Sequence, residues 1–221
     1  LQSPKEIFEM KETTKKILDE LTTRYPALTG QKENVRRAFE IAAEAYRNGK
    51  KLLICGNGGS AADCEHIVGE LMKSFKKKRP IDKSVKERLL TMGEDGERLA
   101  ASLEGTLRAI SLASHPALST AFNNDKDPAV TFAQQLYGYA DEGDVLLAIS
   151  TSGSSNNCVL AAVTAKAKGV KTIALTGKTP GKLSEIADAA ILVPETETYK
   201  VQEHHLPVYH CLCAMLEEEF F

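Results

Sequence analysis

Apolar residues recur at helical spacing in the first part of the chain. Within residues 4–48 they return every three or four positions with charged residues between them, which predicts two amphipathic helices, at 4–24 and 32–47. The closing segment, 200–221, is apolar with a helical pattern, but Pro207 is expected to interrupt it early because proline cannot donate the helical hydrogen bond. We therefore expect helices at both ends of the chain.

Short apolar runs bounded by glycine and serine follow the second helix. Uninterrupted apolar runs of this length are typical of buried parallel strands. Strands and helices that alternate in this way predict an α/β fold, a three-layer, doubly wound parallel sheet flanked by helices. The strands are expected at 51–55, 107–113, 145–150, 172–176 and 189–193, and helices between them at 61–75, 155–168 and 182–187.

The length of 221 residues suits one globular domain with a sizeable core, so we expect a single domain over 1–221. Residues 76–106 are the least sheet-like part. This charged segment contains Pro80 and three glycines, and we expect it to form one or two helices on the surface. No linker or low-complexity stretch divides the chain.

The charge balance narrows the classes of partner. A formal net charge of -2 and a pI near 6.3 provide no basic field, so binding to nucleic acid or to an anionic membrane is not favoured. No apolar run is long enough to span a membrane, and the first residues are too charged for a signal peptide. The five cysteines lie in apolar runs and read as reduced core thiols, which favours a cytoplasmic protein.

Two loops rich in glycine or serine, 56–60 and 150–155, each follow a predicted strand and open a predicted helix. Backbone amides and hydroxyls at a helix N-terminus suit the oxygens of a phosphomonoester. The alternatives are a tight turn for the first loop and a serine-rich helix cap for the second. If both loops lie at the carboxyl ends of parallel strands, they face one crevice. The candidate ligand-binding residues are Asn57, Gly58, Gly59, Ser60, Ser150, Thr151, Ser152 and Ser155.

His66 and Glu70 are four residues apart in the helix after the first loop. This spacing places them on one helix face, where both could reach one metal ion or substrate, although an exposed ion pair would have the same spacing. Further residues that could bind a metal ion or a substrate cluster near the start of the last helix. They are Gln202, His204, His205 and His210.

These features follow one another in a recognisable order. The segments are residues 55–60 with Asp63, His66 and Glu70, then 149–153, 174–178, and 201–204 with His210. Together they resemble the bacterial phosphoheptose isomerases of the sugar isomerase (SIS) family over roughly residues 31–75 and 107–215. The resemblance implies a flavodoxin-like SIS fold and a homotetramer.

The resemblance also implies a reaction. D-sedoheptulose 7-phosphate would be isomerised through an enediol to D-glycero-D-manno-heptose 7-phosphate, for nucleotide-heptose and cell-surface glycan biosynthesis. Glu70 and His210 would be the acid/base pair, and a carboxylate, an imidazole and a divalent ion are chemically sufficient for this step. One zinc ion per subunit would be held by His66, Glu70, Gln202 and His210.

The remaining site residues are also assigned by the resemblance. The second loop would bind the phosphate of the sugar, while the first loop closes over the sugar with Asn57 and Ser60. Asn124 and Asp125 match a family Asn-Asp pair whose acid orients substrate hydroxyls. Three features depart from the family: Tyr199 stands where an acid is usual, residues 76–106 are longer than the corresponding segment, and Pro207 is expected to disturb the helical register between Gln202 and His210.

Two other hypotheses remain at the level of sequence. Relatives of this fold that associate with the replication initiator are non-catalytic, but they characteristically lose the metal-binding glutamate that Glu70 matches. A sugar-phosphate sensor, or an isomerase of a different phosphosugar, would also share the fold. The metal content of the purified protein distinguishes an enzyme from a sensor or adaptor.

Overall fold

A five-stranded, wholly parallel sheet forms the centre of the protein. The computed structural model describes residues 10–221, and its strands are β1 (Leu52–Gly56), β2 (Ala109–Ser111), β3 (Val145–Ser150), β4 (Lys171–Thr176) and β5 (Ala189–Leu192). They are ordered β2-β1-β3-β4-β5, and every neighbouring pair is parallel. The chain thus reverses its direction of winding beside β1, which is the doubly wound order that places a crevice between the first and third strands.

Helices cover both faces of the sheet. The first predicted helix is present from residue 12 onwards, and its expected start at residues 4–9 lies outside the described residues. The helices of the described part are α1 (Glu12–Arg24), α2 (Lys32–Arg47), α3 (Gly59–Met72), α4 (Lys83–Leu90), α5 (Gly93–Ser102), α6 (Pro116–Asp125), α7 (Thr131–Tyr139), α8 (Asn156–Ala167), α9 (Lys182–Ile186) and α10 (Thr198–Phe220).

Alternate residues of each central strand enter different cores. In β1, Leu52 and Ile54 pack into one apolar cluster with α1, α2, α3 and α10, whereas Leu53 and Cys55 pack into a second cluster with α7, α8 and α9. Because both faces of the strands are buried, their sequences are continuously apolar and do not alternate. The three-layer α/β fold expected from the sequence is confirmed.

The last helix continues through Pro207, so the expected interruption was wrong. Proline removes one main-chain hydrogen bond from a helix interior. Here Pro207 is buried, and α10 packs along α1, α2 and α3 for much of its length. Burial of this helix outweighs the missing bond, and His210 therefore stays on the same continuous helix as Gln202.

Residues 73–106 lie outside the sheet, in the connection between α3 and β2. Helix α3 ends at Met72, three residues earlier than predicted. The N–H groups of Phe75 and Lys76 then donate to the carboxylate of Glu217 in α10. Helices α4 and α5 follow, and α4 has no buried residue. Asp82 caps α4 by accepting the main-chain N–H groups of Ser84 and Val85. None of the helices in residues 10–221 is long and apolar enough to cross a membrane.

Candidate active site

The two predicted ligand loops lie side by side. β1 and β3 are paired in parallel with Gly56 opposite Ile149, so the loops that follow them leave the same edge of the sheet. The side-chain amides of Asn57 and Asn157 join the loops, because each donates to the other over 2.9 and 2.8 Å. Asn157 was not among the predicted residues. Its partner lies a hundred residues away in the chain, so no local pattern indicates it.

Glycine shapes the first loop. Gly58 has a φ of +56°, in the left-handed region that residues with a side chain rarely adopt. A Cβ on Gly56 would lie 2.8 Å from the main-chain oxygen of Ser60. The turn can therefore close tightly, with the N–H of Ser60 donating to the carbonyl of Asn57 over 3.0 Å, and α3 begins directly behind it.

The second loop gathers hydroxyl groups at the start of α8. The hydroxyl of Ser150 lies 2.9 Å from that of Ser155 and 3.4 Å from that of Ser152. Ser150 is buried, Thr151 and Ser155 are half-buried, and Ser152 is exposed. Hydroxyls that line a helix N-terminus in this way can donate to an anionic group together with the first main-chain N–H groups of the helix. In α8 the N–H of Cys158 already donates to Oδ1 of Asn157.

His66, Glu70 and His210 come together where α3 and α10 meet. The Nε2 atom of His66 lies 3.1 Å from Oε1 of Glu70 and 3.5 Å from Nε2 of His210. One ligand atom from each residue fits within 4.8 Å of the other two. Two imidazoles and a carboxylate converging at this distance form a donor set suited to a divalent cation such as Zn²⁺.

Gln202 contacts the first loop. Its side-chain amide lies directly against Gly59, where a Cβ would overlap the amide nitrogen. The absence of a side chain at Gly59 therefore makes room for Gln202 beside the N-terminus of α3. Gln202 and His210 both lie on α10, so this helix reaches the first loop with one residue and the His–Glu cluster with the other.

Comparisons with known proteins agree on one family. Two SIS domain models match residues 17–101 and 111–215. The phosphoheptose isomerase of Nitratiruptor sp. is 38% identical over 98% of this chain and 97% of its own length. This chain belongs to the phosphoheptose isomerase family. A second relative of the same name, from Akkermansia muciniphila, is 32% identical over 91% of this chain and 93% of its own.

A solved structure of the family has the same architecture. The phosphoheptose isomerase of Neisseria gonorrhoeae superposes with a TM-score of 0.69 at 27% identity, and the match covers 93% of this chain and 94% of that one. The similarity therefore extends over nearly the whole of both chains.

Two of the predicted site residues, Asn124 and Asp125, have no hydrogen bond to the other site residues within residues 10–221. Asn124 and Asp125 are exposed at the end of α6, where the amide of Asn124 donates to the carboxylate of Asp125 over 2.9 Å. Within residues 10–221 no hydrogen bond links this pair to the two loops or to the His–Glu cluster. Tyr199, which replaces the usual acid of the family, is 57% exposed at the start of α10.

Tyr209 and Asp63 form a second layer behind the histidines. The hydroxyl of Tyr209 lies 3.0 Å from Nδ1 of His66 and donates to Oδ1 of Asp63 over 3.2 Å. Asp63 belongs to the family segment that the sequence indicated, but Tyr209 was missed. An apolar stretch of a helix gives no sign that one tyrosine in it faces a site, because this depends on how the helix packs.

Burial and neighbouring groups shift the pKa values of His210, Asp63 and Tyr209. Burial lowers the pKa of His210, and the neighbouring His66 lowers it further, while Glu70 acts in the opposite direction. Burial raises the pKa of Asp63, against the hydrogen bond from Tyr209. Burial and the adjacent Asp63 raise the pKa of Tyr209. A neutral His210 has a lone pair free for a proton or a cation.

Proposed function

We propose that this protein is an aldose–ketose isomerase that converts D-sedoheptulose 7-phosphate into D-glycero-D-manno-heptose 7-phosphate. The observation that carries the proposal is the convergence of His66, Glu70 and His210 within 4.8 Å, in a chain 38% identical over nearly its whole length to a phosphoheptose isomerase. The product would supply nucleotide-heptose and cell-surface glycan synthesis.

Glu70 and His210 would carry the proton transfers. One of them removes a proton from C1 of the ketose while the other protonates the oxygen on C2, which produces an enediol. A proton then leaves the oxygen on C1 and a proton returns to C2, so the aldose forms without net loss or gain of protons. The lowered pKa of His210 keeps its imidazole neutral and able to accept a proton in one step, and the imidazolium then returns that proton in the next.

A zinc ion, one per subunit, would be held by His66, Glu70, Gln202 and His210. The convergence of the three ionisable residues supports this, and the neutral amide of Gln202 would add an oxygen ligand without further negative charge. When bound, zinc supplies a positive charge that polarises the substrate carbonyl and stabilises the negative charge on its oxygen.

The two loops would bind the remainder of the substrate. The hydroxyl cluster of the second loop supports a phosphate site made of Ser150, Thr151, Ser152 and Ser155. The first loop would hold the sugar through Asn57, Gly58, Gly59 and Ser60. Asn124 and Asp125 would orient its hydroxyls, which requires that they approach the crevice from the end of α6.

The proposal includes a cytoplasmic location and a homotetrameric assembly for the enzyme. The five cysteines are free and buried thiols, which agrees with a reducing, cytoplasmic environment. We infer a homotetramer from the family resemblance, and gel filtration with light scattering would measure the mass of the particle.

The deciding experiment incubates metal-analysed protein with sedoheptulose 7-phosphate, with and without a chelator, and follows aldose formation by proton NMR. Glu70→Gln and His210→Ala should each abolish or severely reduce turnover while the fold is retained. Glu44→Gln makes the same exchange as Glu70→Gln at an exposed position of α2 and should leave turnover unchanged.

Each outcome of this experiment points to one function. Chelator-sensitive conversion that depends on Glu70 and His210 supports the isomerase. Bound metal without conversion indicates a different phosphosugar as substrate. A protein with neither metal nor conversion is a sensor or adaptor, and this result contradicts the proposal.

A further inference from the structure

We propose that Tyr209 is a positioning residue that selects the tautomer of His66 and directs the lone pair of its Nε2 atom towards Glu70 and His210. The inference goes beyond the family assignment, and its consequence for metal binding rests on the proposed function. It follows from the two hydrogen bonds of the Tyr209 hydroxyl, in which it donates to one neighbour and accepts from the other.

The hydroxyl of Tyr209 has two neighbours and one proton. Oδ1 of Asp63 is 3.2 Å away and Nδ1 of His66 is 3.0 Å away. A carboxylate can only accept a hydrogen bond, and a bond to an ionised acceptor is stronger than one to a neutral nitrogen. The proton of Tyr209 therefore goes to Asp63, and the tyrosine oxygen accepts from His66. This arrangement favours Nδ1 as the protonated nitrogen of the neutral imidazole, whereas the carboxylate of Glu70, 3.1 Å from Nε2, favours a proton on Nε2 when no cation lies between them.

Burial makes this arrangement specific. Tyr209 is only 1% exposed, so water cannot replace either of its partners. The other carboxylate oxygen of Asp63, Oδ2, is buried with no hydrogen-bond partner, so the bond from Tyr209 is the one that offsets the cost of burying this acid. The ring of Tyr209 also packs edge-on against both His66 and His210, at centroid distances of 5.5 and 5.0 Å.

The tautomer determines what the other side of His66 can do. With the proton on Nδ1, the lone pair of Nε2 faces Oε1 of Glu70 at 3.1 Å, and two acceptors at this distance require a cation or a proton between them. Residues behind a metal ligand commonly contribute roughly 10–100-fold to metal affinity by fixing the tautomer and orientation of the ligand. We expect Tyr209 to contribute to zinc affinity to this extent.

The test uses Tyr209→Phe, which removes the hydroxyl and keeps the ring that packs on both histidines. Tyr46→Phe is the matched control, since the hydroxyl of Tyr46 donates to the carbonyl of Arg108, outside the site. Nitrogen NMR of histidine-labelled, zinc-free protein reports the tautomer of His66 at a pH where the ring is neutral. Competition with a chromogenic chelator measures the affinity for zinc.

In the zinc-free wild type and in Tyr46→Phe we expect a population of His66 with its proton on Nδ1, in competition with the form that donates from Nε2 to Glu70. In Tyr209→Phe we expect the Nδ1-protonated population to fall and the zinc affinity to be lower by roughly 10–100-fold. Circular dichroism shows whether the fold is kept. A merely structural tyrosine would lower the melting temperature without changing the tautomer.

Two results overturn the inference. One is a zinc-free wild type in which His66 is protonated wholly on Nε2, which needs no variant to establish. The other is a Tyr209→Phe protein that keeps both the tautomer and the zinc affinity of the wild type. If the wild-type protein binds no zinc, the proposed metal site fails, but the tautomer measurement still decides the role of Tyr209.

Discussion

Arg79 and Glu217 form an ion pair in which Nε of the guanidinium lies 2.8 Å from Oε1 of the carboxylate, and neither side chain is more than 1% exposed. The other two guanidinium nitrogens of Arg79 donate to the main-chain carbonyls of Leu71 and Glu70 over 2.7 and 2.8 Å. One side chain thus ties the last turn of α3, which carries Glu70, to α10, which carries His210.

Arg79→Met should destabilise the protein by about 3–5 kcal/mol, because it leaves the Glu217 carboxylate buried without its cation and the carbonyls of α3 without a donor. Chemical denaturation measures the loss. Arg24→Met removes an exposed pair with Glu20 and should change the free energy of unfolding by less than about 1 kcal/mol. Equal effects of the two changes would show that burial does not strengthen the contribution of Arg79.

Glu217 should make stability dependent on pH in the acid range. Burial alone would raise its pKa, but the N–H groups of Phe75 and Lys76 and the guanidinium of Arg79 outweigh burial and lower the pKa below its ordinary value of 4.5. A lowered folded-state pKa means that the carboxylate stabilises the protein above pH 4.5, and that this contribution is lost as the pH falls below it.

Denaturation of the wild type and of Glu217→Gln across this range tests the effect, because other acids titrate in both proteins. We expect the difference in free energy of unfolding to be largest near neutral pH and to shrink on acidification. A difference that is constant with pH would mean that Glu217 has the same pKa in the folded and unfolded chains.

Gly59→Ala should impair the site more than the fold. The added Cβ would overlap the amide of Gln202, which is the end of a flexible side chain and can move away. We expect lower kcat and weaker zinc binding with little change in melting temperature. Gly69→Ala is the control in the same helix, since a Cβ there meets nothing within 4 Å. It should stabilise the protein by roughly 0.5–1 kcal/mol and leave kcat unchanged.

Ser152→Ala should raise KM for the phosphosugar by about tenfold or more, because a hydrogen bond to a charged group contributes roughly 1.5–3 kcal/mol. The fold should be unaffected, since Ser152 is exposed. Ser154→Ala provides a control in the same loop, because its hydroxyl accepts from the N–H of Lys182 at the start of α9. Unchanged steady-state kinetics in Ser152→Ala would count against the phosphate assignment.

Features with local causes were predictable from the chain. Apolar runs indicated the five buried strands, and the four-residue spacing of His66 and Glu70 placed both on one helix face. Loops that follow adjacent parallel strands must leave one edge of the sheet, so the crevice beside Asn57 and Ser152 was also predictable. The family followed from the order of these motifs.

The sequence by itself therefore determined the α/β architecture, the two loops and the residue types that meet in the site. Only the tertiary structure decided the contacts between residues distant in the chain: Tyr209 with Asp63, Arg79 with Glu217, and Asn57 with Asn157. It also decided that α10 continues through Pro207, because the packing of the helix outweighs a local preference. Periodicity reports only which face of an element is buried, whereas a hydrogen bond across the core depends on how two elements pack together.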